Sequence, residues 1–328
     1  MKATLLGITT STVLSIAPLL AGGEGWTSDF EAAKKQAAKE DKSLLIDFTG
    51  SDWCGWCIKL NEEVFQHAPF KEGVKDKFVL VELDYPRDKS KLSEKVQKQN
   101  EELKDKYGIR GFPTILLTDE EGAPFARTGY KQGGPEAYVT HLDELLEKRA
   151  VRDEALAKAK DLEGPEKAKV LVDALKAMSL EDEMIATFYG DLVEQIKAAD
   201  PEDESGYVKG LEMKAKFAEF QKKLMSFGQK QDHEGALKLI EETLASGTFE
   251  GDTKQQVVFF KAMVLAQAEQ FDEAVQAIDE AKAVAPESDT AARMDRIRGQ
   301  LIQARDQAAA ADEAPDDKDA EDSTESQP

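Results

Sequence analysis

Leu44-Leu45-Ile46-Asp47-Phe48, followed by Thr49-Gly50-Ser51-Asp52-Trp53-Cys54-Gly55-Trp56-Cys57, sets a near-continuous apolar run before two cysteines three positions apart. A run of that length suits a strand buried on both faces of a sheet. Beyond the cysteines, Ile58, Leu60, Val64 and Phe65 recur at helical spacing, so the pair opens a helix. A thiol at a helix N-terminus meets unpaired backbone N–H groups and the positive end of the dipole, which lower its pKa. A thiol three residues on lies one turn along, close enough to close a disulfide. Cys54 is then the exposed nucleophile and Cys57 the thiol that resolves a mixed disulfide.

Two other readings of the pair stand beside this one. A purely structural disulfide closing so short a loop removes unfolded-state entropy worth only about 2 kcal/mol. A metal site, for copper(I) above all, needs two further ligands. The chain has two cysteines in all, and its three histidines, His67, His141 and His233, are scattered. The placement of the pair favours redox chemistry, in which the sulfurs hold the electrons and neither metal nor organic cofactor is required.

Working outward, Phe78-Val79-Leu80-Val81-Glu82-Leu83 and Thr114-Ile115-Leu116-Leu117 are two more buried-strand candidates. Helical stretches lie between and around the strands. Residues 29–42 carry Phe30, Ala33, Ala37 and Ala38 on one face, 90–107 are rich in lysine and glutamate, and 135–149 carry Tyr138, Leu142, Leu145 and Leu146. Strands alternating with helices predict an α/β layered domain around a central sheet.

The stretch from Trp26 to about Arg149 resembles a thioredoxin-like domain, of the secreted kind with a long helix before its first strand. Three ordered landmarks carry the resemblance: the Asp47–Cys57 motif, the loop Gly108-Ile109-Arg110-Gly111-Phe112-Pro113-Thr114, and Glu121-Gly122 followed by Gly129. It implies a mixed sheet flanked by helices, with Cys54 as attacking thiol and Cys57 as buried resolving thiol. It further implies that Asp47 is the buried acid that shuttles a proton from the resolving thiol; the plainer reading is a strand-end acid reaching solvent. Pro113 would follow a cis peptide bond, with Phe112 offering backbone groups to a substrate strand. Trp53 would form an apolar rim beside Cys54, or else pack in the core. The sequence departs from the family in four places. One extra residue separates Asp47 from Cys54, Gly-Trp stands between the cysteines, and the strand around Leu80-Val81 carries no lysine near the acid. A charged insert also spans roughly Arg87 to Lys106.

The ends of the chain have their own character. Met1-Lys2, an apolar stretch from Ala3 through Leu20, and Ala21-Gly22-Gly23 match the basic, apolar and small order of a secretory signal peptide. Threonines and serines at 9–12 and 15, with Pro18, leave the apolar run short of the roughly 20 residues a spanning helix needs. Residues 1–23 are thus expected to be a cleaved leader to a periplasmic or secreted location, with a membrane anchor as the alternative if cleavage fails. At the other end, residues 306–328 read as a disordered acidic tail, since eight acids and one lysine fall between Asp312 and Pro328. The chain's acids outnumber its bases 65 to 43, a formal charge of −22 that repels nucleic-acid phosphates.

Between these, residues 24–149 form the expected thioredoxin-like domain and 150–305 an all-helical one. Ala262, Phe271, Ala274, Ala281 and Pro286 resemble the small and aromatic positions of a tetratricopeptide repeat, where alanines let two antiparallel helices approach. Ala236, Leu239 and Ile240 suggest a weaker unit before it, and residues 166–178 another. The 38-residue spacing from Ala236 to Ala274, against about 34 for a regular array, leaves a plain helical bundle as the alternative.

These features point to a secreted thiol–disulfide oxidoreductase. Its partners would be exported proteins with cysteines and an oxidoreductase that donates or accepts electrons, with docking through the helical half. The alternative is an interaction protein whose helical half binds partners and whose cysteines are not catalytic. The direction of electron flow is not legible, because about 30 mV of potential is a tenfold change in equilibrium.

Overall fold

The structure, a computed structural model, describes residue 23 and residues 25–312. Apart from Gly23, the expected leader lies outside the described residues, as does the tail beyond residue 312. The chain divides into two compact units between Val208 and Lys209.

The first unit runs β1 (Trp26–Thr27), α1 (Phe30–Glu40), β2 (Ser43–Thr49) and α2 (Gly55–Leu60), which continues as a π-helical turn over Asn61–Phe65. Then come α3 (Ala68–Val74), β3 (Phe78–Asp84), a 3₁₀ turn at Lys89–Lys91, α4 (Glu94–Lys106), β4 (Thr114–Thr118) and β5 (Pro124–Thr128). Helices α5 (Gly134–Ala159), α6 (Gly164–Met178) and α7 (Asp182–Ala199) complete it. The five-stranded sheet has the order β1-β3-β2-β4-β5. β1, β3 and β2 are parallel, while β4 and β5 are antiparallel additions. This is the mixed, helix-flanked sheet that the resemblance implied. The strands β1 and β5 were not singled out from the sequence, being two and five residues long.

Residues alternate between the two faces of β2. Leu44, Ile46 and Phe48 join a cluster with Phe30, Ala33 and Ala37 of α1 and Leu103 of α4. Leu45 joins the opposite cluster with Leu60, Val64, Phe65, Phe70 and Tyr138. Asp47 therefore points toward the α2 side, in phase with Leu45.

The expected boundary at 149/150 falls inside α5, which continues unbroken to Ala159. Ala168, Leu171, Met178, Ile185, Tyr189 and Ile196 of α6 and α7 share the hydrophobic cluster that contains Leu45 and Tyr138. Residues 150–208 thus bury their apolar faces with the sheet unit, and α6 is not an isolated repeat. Arg152 holds this arrangement from within α5: its guanidinium reaches Asp119 Oδ2 at 3.0 Å and the Tyr189 hydroxyl at 2.9 Å.

The second unit is helical, from α8 (Tyr207–Gln229), whose first two residues precede the division, through α9 (His233–Ala245), α10 (Gly251–Gln267), α11 (Phe271–Val284) and α12 (Asp289–Asp312). Small residues sit at its seams: Ala262, Ala274, Ala277 and Ala281 are buried where α10, α11 and α12 pack. A second cluster joins Phe220, Ala236, Ile240, Phe249 and Val264 across α8, α9 and α10. The expected tail starts later than residue 306, because α12 runs on to Asp312. Four alanines, 308–311, favour helix there.

Candidate active site

The reactive turn begins where β2 ends. Gly50 accepts at its carbonyl from the Trp53 and Cys54 amides, which folds the chain back toward α2. A Cβ at Gly50 would lie 2.6 Å from the Trp53 indole, so only glycine leaves room for that ring. Three successive residues of the turn are then tied to the end of β3 and the segment after it. Ser51 donates from its amide and its hydroxyl to Asp84, at 2.9 and 2.6 Å. Asp52 accepts from the Arg87 amide at 2.9 Å and from Lys91 Nζ at 2.8 Å, and these bonds hold its carboxyl below the usual range. The Trp53 indole N–H donates to the Tyr85 carbonyl at 2.8 Å. The start of the charged insert, at Arg87 and Lys91, thus contributes directly to the turn.

Cys54 is the N-cap residue of α2: its backbone is extended, and its Sγ accepts from the Cys57 amide at 3.2 Å. The two sulfurs are joined as a disulfide. In this bonded state Cys54 is 6% exposed and Cys57 4%, so the expected contrast between an exposed and a buried thiol is absent. What distinguishes the two is the helix start. Cys54 sits at the free N–H end of α2, where a developing thiolate is stabilised, whereas Cys57 lies inside the first turn. The exposed groups are the flanking tryptophans, Trp53 at 41% and Trp56 at 58%.

The Phe112–Pro113 peptide bond is cis, at the position the resemblance implied. The Phe112 ring meets Trp53 edge-on at 5.8 Å and Tyr85 at 5.0 Å. Trp53 is therefore a rim residue anchored by its N–H, not core. The Pro113 carbonyl is approached so closely by Gly129 that a Cβ there would stand 3.1 Å from it, which accounts for the late glycine. On the other side of the pair, Trp56 packs on Tyr130 at 5.1 Å, and Lys59 lies over both rings.

Asp47 is buried, not a strand-end acid reaching solvent. Burial, with Glu82 and Asp84 adding to it, pushes its carboxyl well above the usual range. Its Oδ1 has no hydrogen-bond partner. Glu82, its register neighbour on β3, is also buried. No lysine stands on this strand, and Glu82 is the one carboxylate inside its apolar run. The signal was the same as for Asp47: one acid within a buried apolar strand. Tyr85, Tyr130 and Gly50 were missed too, since an aromatic or a glycine in a loop carries no periodic signal.

Comparison with known proteins bears on this geometry. A model of the thioredoxin-like domain matches residues 30–145. The disulfide bond reductase DsbH of Chlamydia pneumoniae is 37% identical over 132 residues, which span 40% of this chain and 78% of that protein. The chain belongs to the thioredoxin-like family. As a family member it is related to the DsbH reductase and is thiol–disulfide oxidoreductase-like, a relation that implies disulfide exchange with protein partners. The thioredoxin-related protein DsbJ of the same organism is 31% identical over 128 residues, 37% of this chain and 36% of DsbJ. A solved structure of a DsbH oxidoreductase shares 30% identity, covers 44% of this chain and 95% of its own, and superposes with a TM-score of 0.36. All these similarities involve less than half of the chain.

Proposed function

We propose that this thioredoxin-like protein is an exported disulfide reductase acting on cysteines of other exported proteins. The observation that carries the reading is Cys54 at the N-cap of α2, one turn from Cys57, with the adjacent Trp53 against Phe112 of the cis-proline loop. In the reduced protein the Cys54 thiolate attacks one sulfur of a client disulfide. The client's other sulfur leaves with the electron pair, giving a mixed disulfide. Cys57 then attacks the Cys54 sulfur, its proton passing to the Asp47 side of the sheet, and the client's remaining sulfur leaves as a thiolate. The protein ends as the Cys54–Cys57 disulfide, and an electron-donating oxidoreductase restores the dithiol. The reductive direction follows the DsbH relative's name. Export follows the basic, apolar and small order of residues 1–23.

Trp53, Phe112 and Pro113 are the substrate-facing groups in this reading, an aromatic edge and a backbone segment on which an extended client strand lies. Client choice is assigned to the helical second unit, whose alanine seams favour a tetratricopeptide-like docking module, because thiol exchange itself discriminates little among exposed disulfides. Turnover of a disulfide-bonded protein such as insulin, with dithiothreitol as electron source, tests the core of the proposal. Wild type should accelerate reduction and Cys54→Ser should be inactive, with Cys54 the thiol alkylated by iodoacetamide near neutral pH. Equal rates for wild type and Cys54→Ser would leave the chain a scaffold.

A further inference from the structure

The loop 108–113, which carries the cis peptide bond, lies between α4 and β4 and belongs to neither. It is tied near both of its ends. The Ile109 amide donates to the Lys104 carbonyl at 2.9 Å, and the Thr114 hydroxyl donates to the Gly111 carbonyl at 2.8 Å. A further hold comes from α7, a helix outside the matched stretch 30–145.

Three contacts join the start of α7 to this loop and its flanks. Arg110, in the loop, donates from one guanidinium nitrogen to both carboxylate oxygens of Glu183, at 2.6 and 2.5 Å. Arg127 of β5 donates to Glu181 at 2.5 Å and, from its other terminal nitrogen, reaches the Thr114 hydroxyl at a long 3.5 Å. Glu181 is thereby linked through Arg127 and Thr114 to Gly111, the residue before Phe112. Phe188 stacks on Tyr107, the residue before the loop, with ring centroids 4.8 Å apart. Beneath these contacts Ile109 and Met184 are buried in one apolar cluster, against which Phe112, Leu180 and Phe188 pack. Met184 and Phe188 are four positions apart, so one face of α7 presents both.

Acids at a helix start have a plainer use, since they complement the dipole of their own helix. The side chains here are turned elsewhere. Glu181 is the N-cap residue of α7, yet it makes no side-chain cap bond and is spent on Arg127. Glu183 is spent on Arg110, and a Cβ at Gly108 would stand 3.7 Å from its carboxylate.

We infer that the start of α7 clamps the cis-proline loop, with Glu183 and Glu181 as positioning residues that act on client binding through Arg110 and Arg127. The role rests on the reductase reading, in which an extended client strand lies along Phe112 and Pro113; the clamp rests on the contacts just described. A loop already held in its bound geometry loses less freedom when a client strand pairs with it, and so binds more tightly. The clamp adds no group to the cysteine turn, so its effect falls on KM. The Arg110 and Glu183 side chains are 76% and 71% exposed, so water screens the pair and its contribution is modest.

The test is charge exchange across that pair in the full chain: Glu183→Arg, Arg110→Glu and the two combined. Insulin reduction with dithiothreitol gives KM and kcat, and hydrogen exchange of the amides of residues 108–112 follows the loop itself. Each single variant sets like charges against each other. It should raise KM about three- to tenfold with kcat unchanged, and speed loop exchange by a similar factor. The combined variant restores an opposite pair and should return both readouts to within about twofold of wild type. Single variants that keep the wild-type urea midpoint, KM and loop exchange overturn the inference. So does a combined variant as weak as Arg110→Glu, because Arg110 would then be meeting the client itself. The functional reading fails separately, if wild type reduces no insulin. Loop exchange then decides alone: quickened in the single variants and restored in the combined one, it upholds the clamp, and unchanged it removes it.

Discussion

Replacing Arg152 by alanine should unfasten α7 from the sheet unit, and the structure allows the cost to be worked out. The guanidinium has three hydrogen-bond partners. Asp153, on the same helix, is 47% exposed, so water replaces that bond at little cost. Tyr189 keeps its own donation to the Pro124 carbonyl at 2.8 Å and loses only an incoming donor. Asp119 is different. It is 15% exposed, and although its Oδ1 keeps the Glu121 and Ala123 amides, its Oδ2 would lose the cation. Removing one partner of a fully buried pair costs roughly 3–5 kcal/mol. With two amide bonds retained, the lower end applies, about 3 kcal/mol. At a urea dependence of about 2 kcal/mol per molar, the unfolding midpoint should fall by about 1.5 M. Trp26, Trp53 and Trp56 all belong to the first unit, so tryptophan fluorescence follows that unit alone. Asp119→Asn should lose most of its own effect in the Arg152→Ala background, because the two share one interaction. A midpoint shift below about 0.5 M would mean that Arg152 does not fasten α7, and would detach residues 150–208 from the sheet unit's cooperative core.

Two further outcomes follow from the site. Asp47 titrates higher in the folded chain than unfolded, so its contribution to stability is lost as pH rises from the unfolded value, about 3.9, through the folded one. Asp47→Asn should therefore gain on wild type in urea unfolding more at pH 8 than at pH 4, and an equal difference at both would contradict the buried-acid assignment. Cys57→Ala should accumulate mixed disulfides between Cys54 and client proteins on non-reducing gels. Client bands that are identical in a chain ending at residue 208 would leave the helical unit without a docking role.

Much of the site was legible before any tertiary information, because its signals are local in the chain. The cysteine pair, the apolar strand before it, the helix after it and the Phe112-Pro113 loop each declare themselves within a dozen residues. Asp47 stood out because a charge within a buried run needs a reason. The division of the chain was not legible in the same way. Helices α5, α6 and α7 have the period of any amphipathic helix, and a period says which face is apolar without saying what covers it. Only packing showed that Leu171, Ile185 and Tyr189 share a core with Leu45 and that Arg152 closes that core. The adjacency of Asp47 and Glu82 was hidden for the same reason: 35 positions separate them along the chain, and the parallel register of β2 on β3 makes them neighbours. The chain's local pattern was enough to place the cysteine pair between its strand and its helix, since that depends on residue type and local turn. Tertiary structure alone decided which surfaces are buried together and which charges share a face, because hydrophobic burial is non-directional and strand pairing joins residues without regard to their distance in sequence.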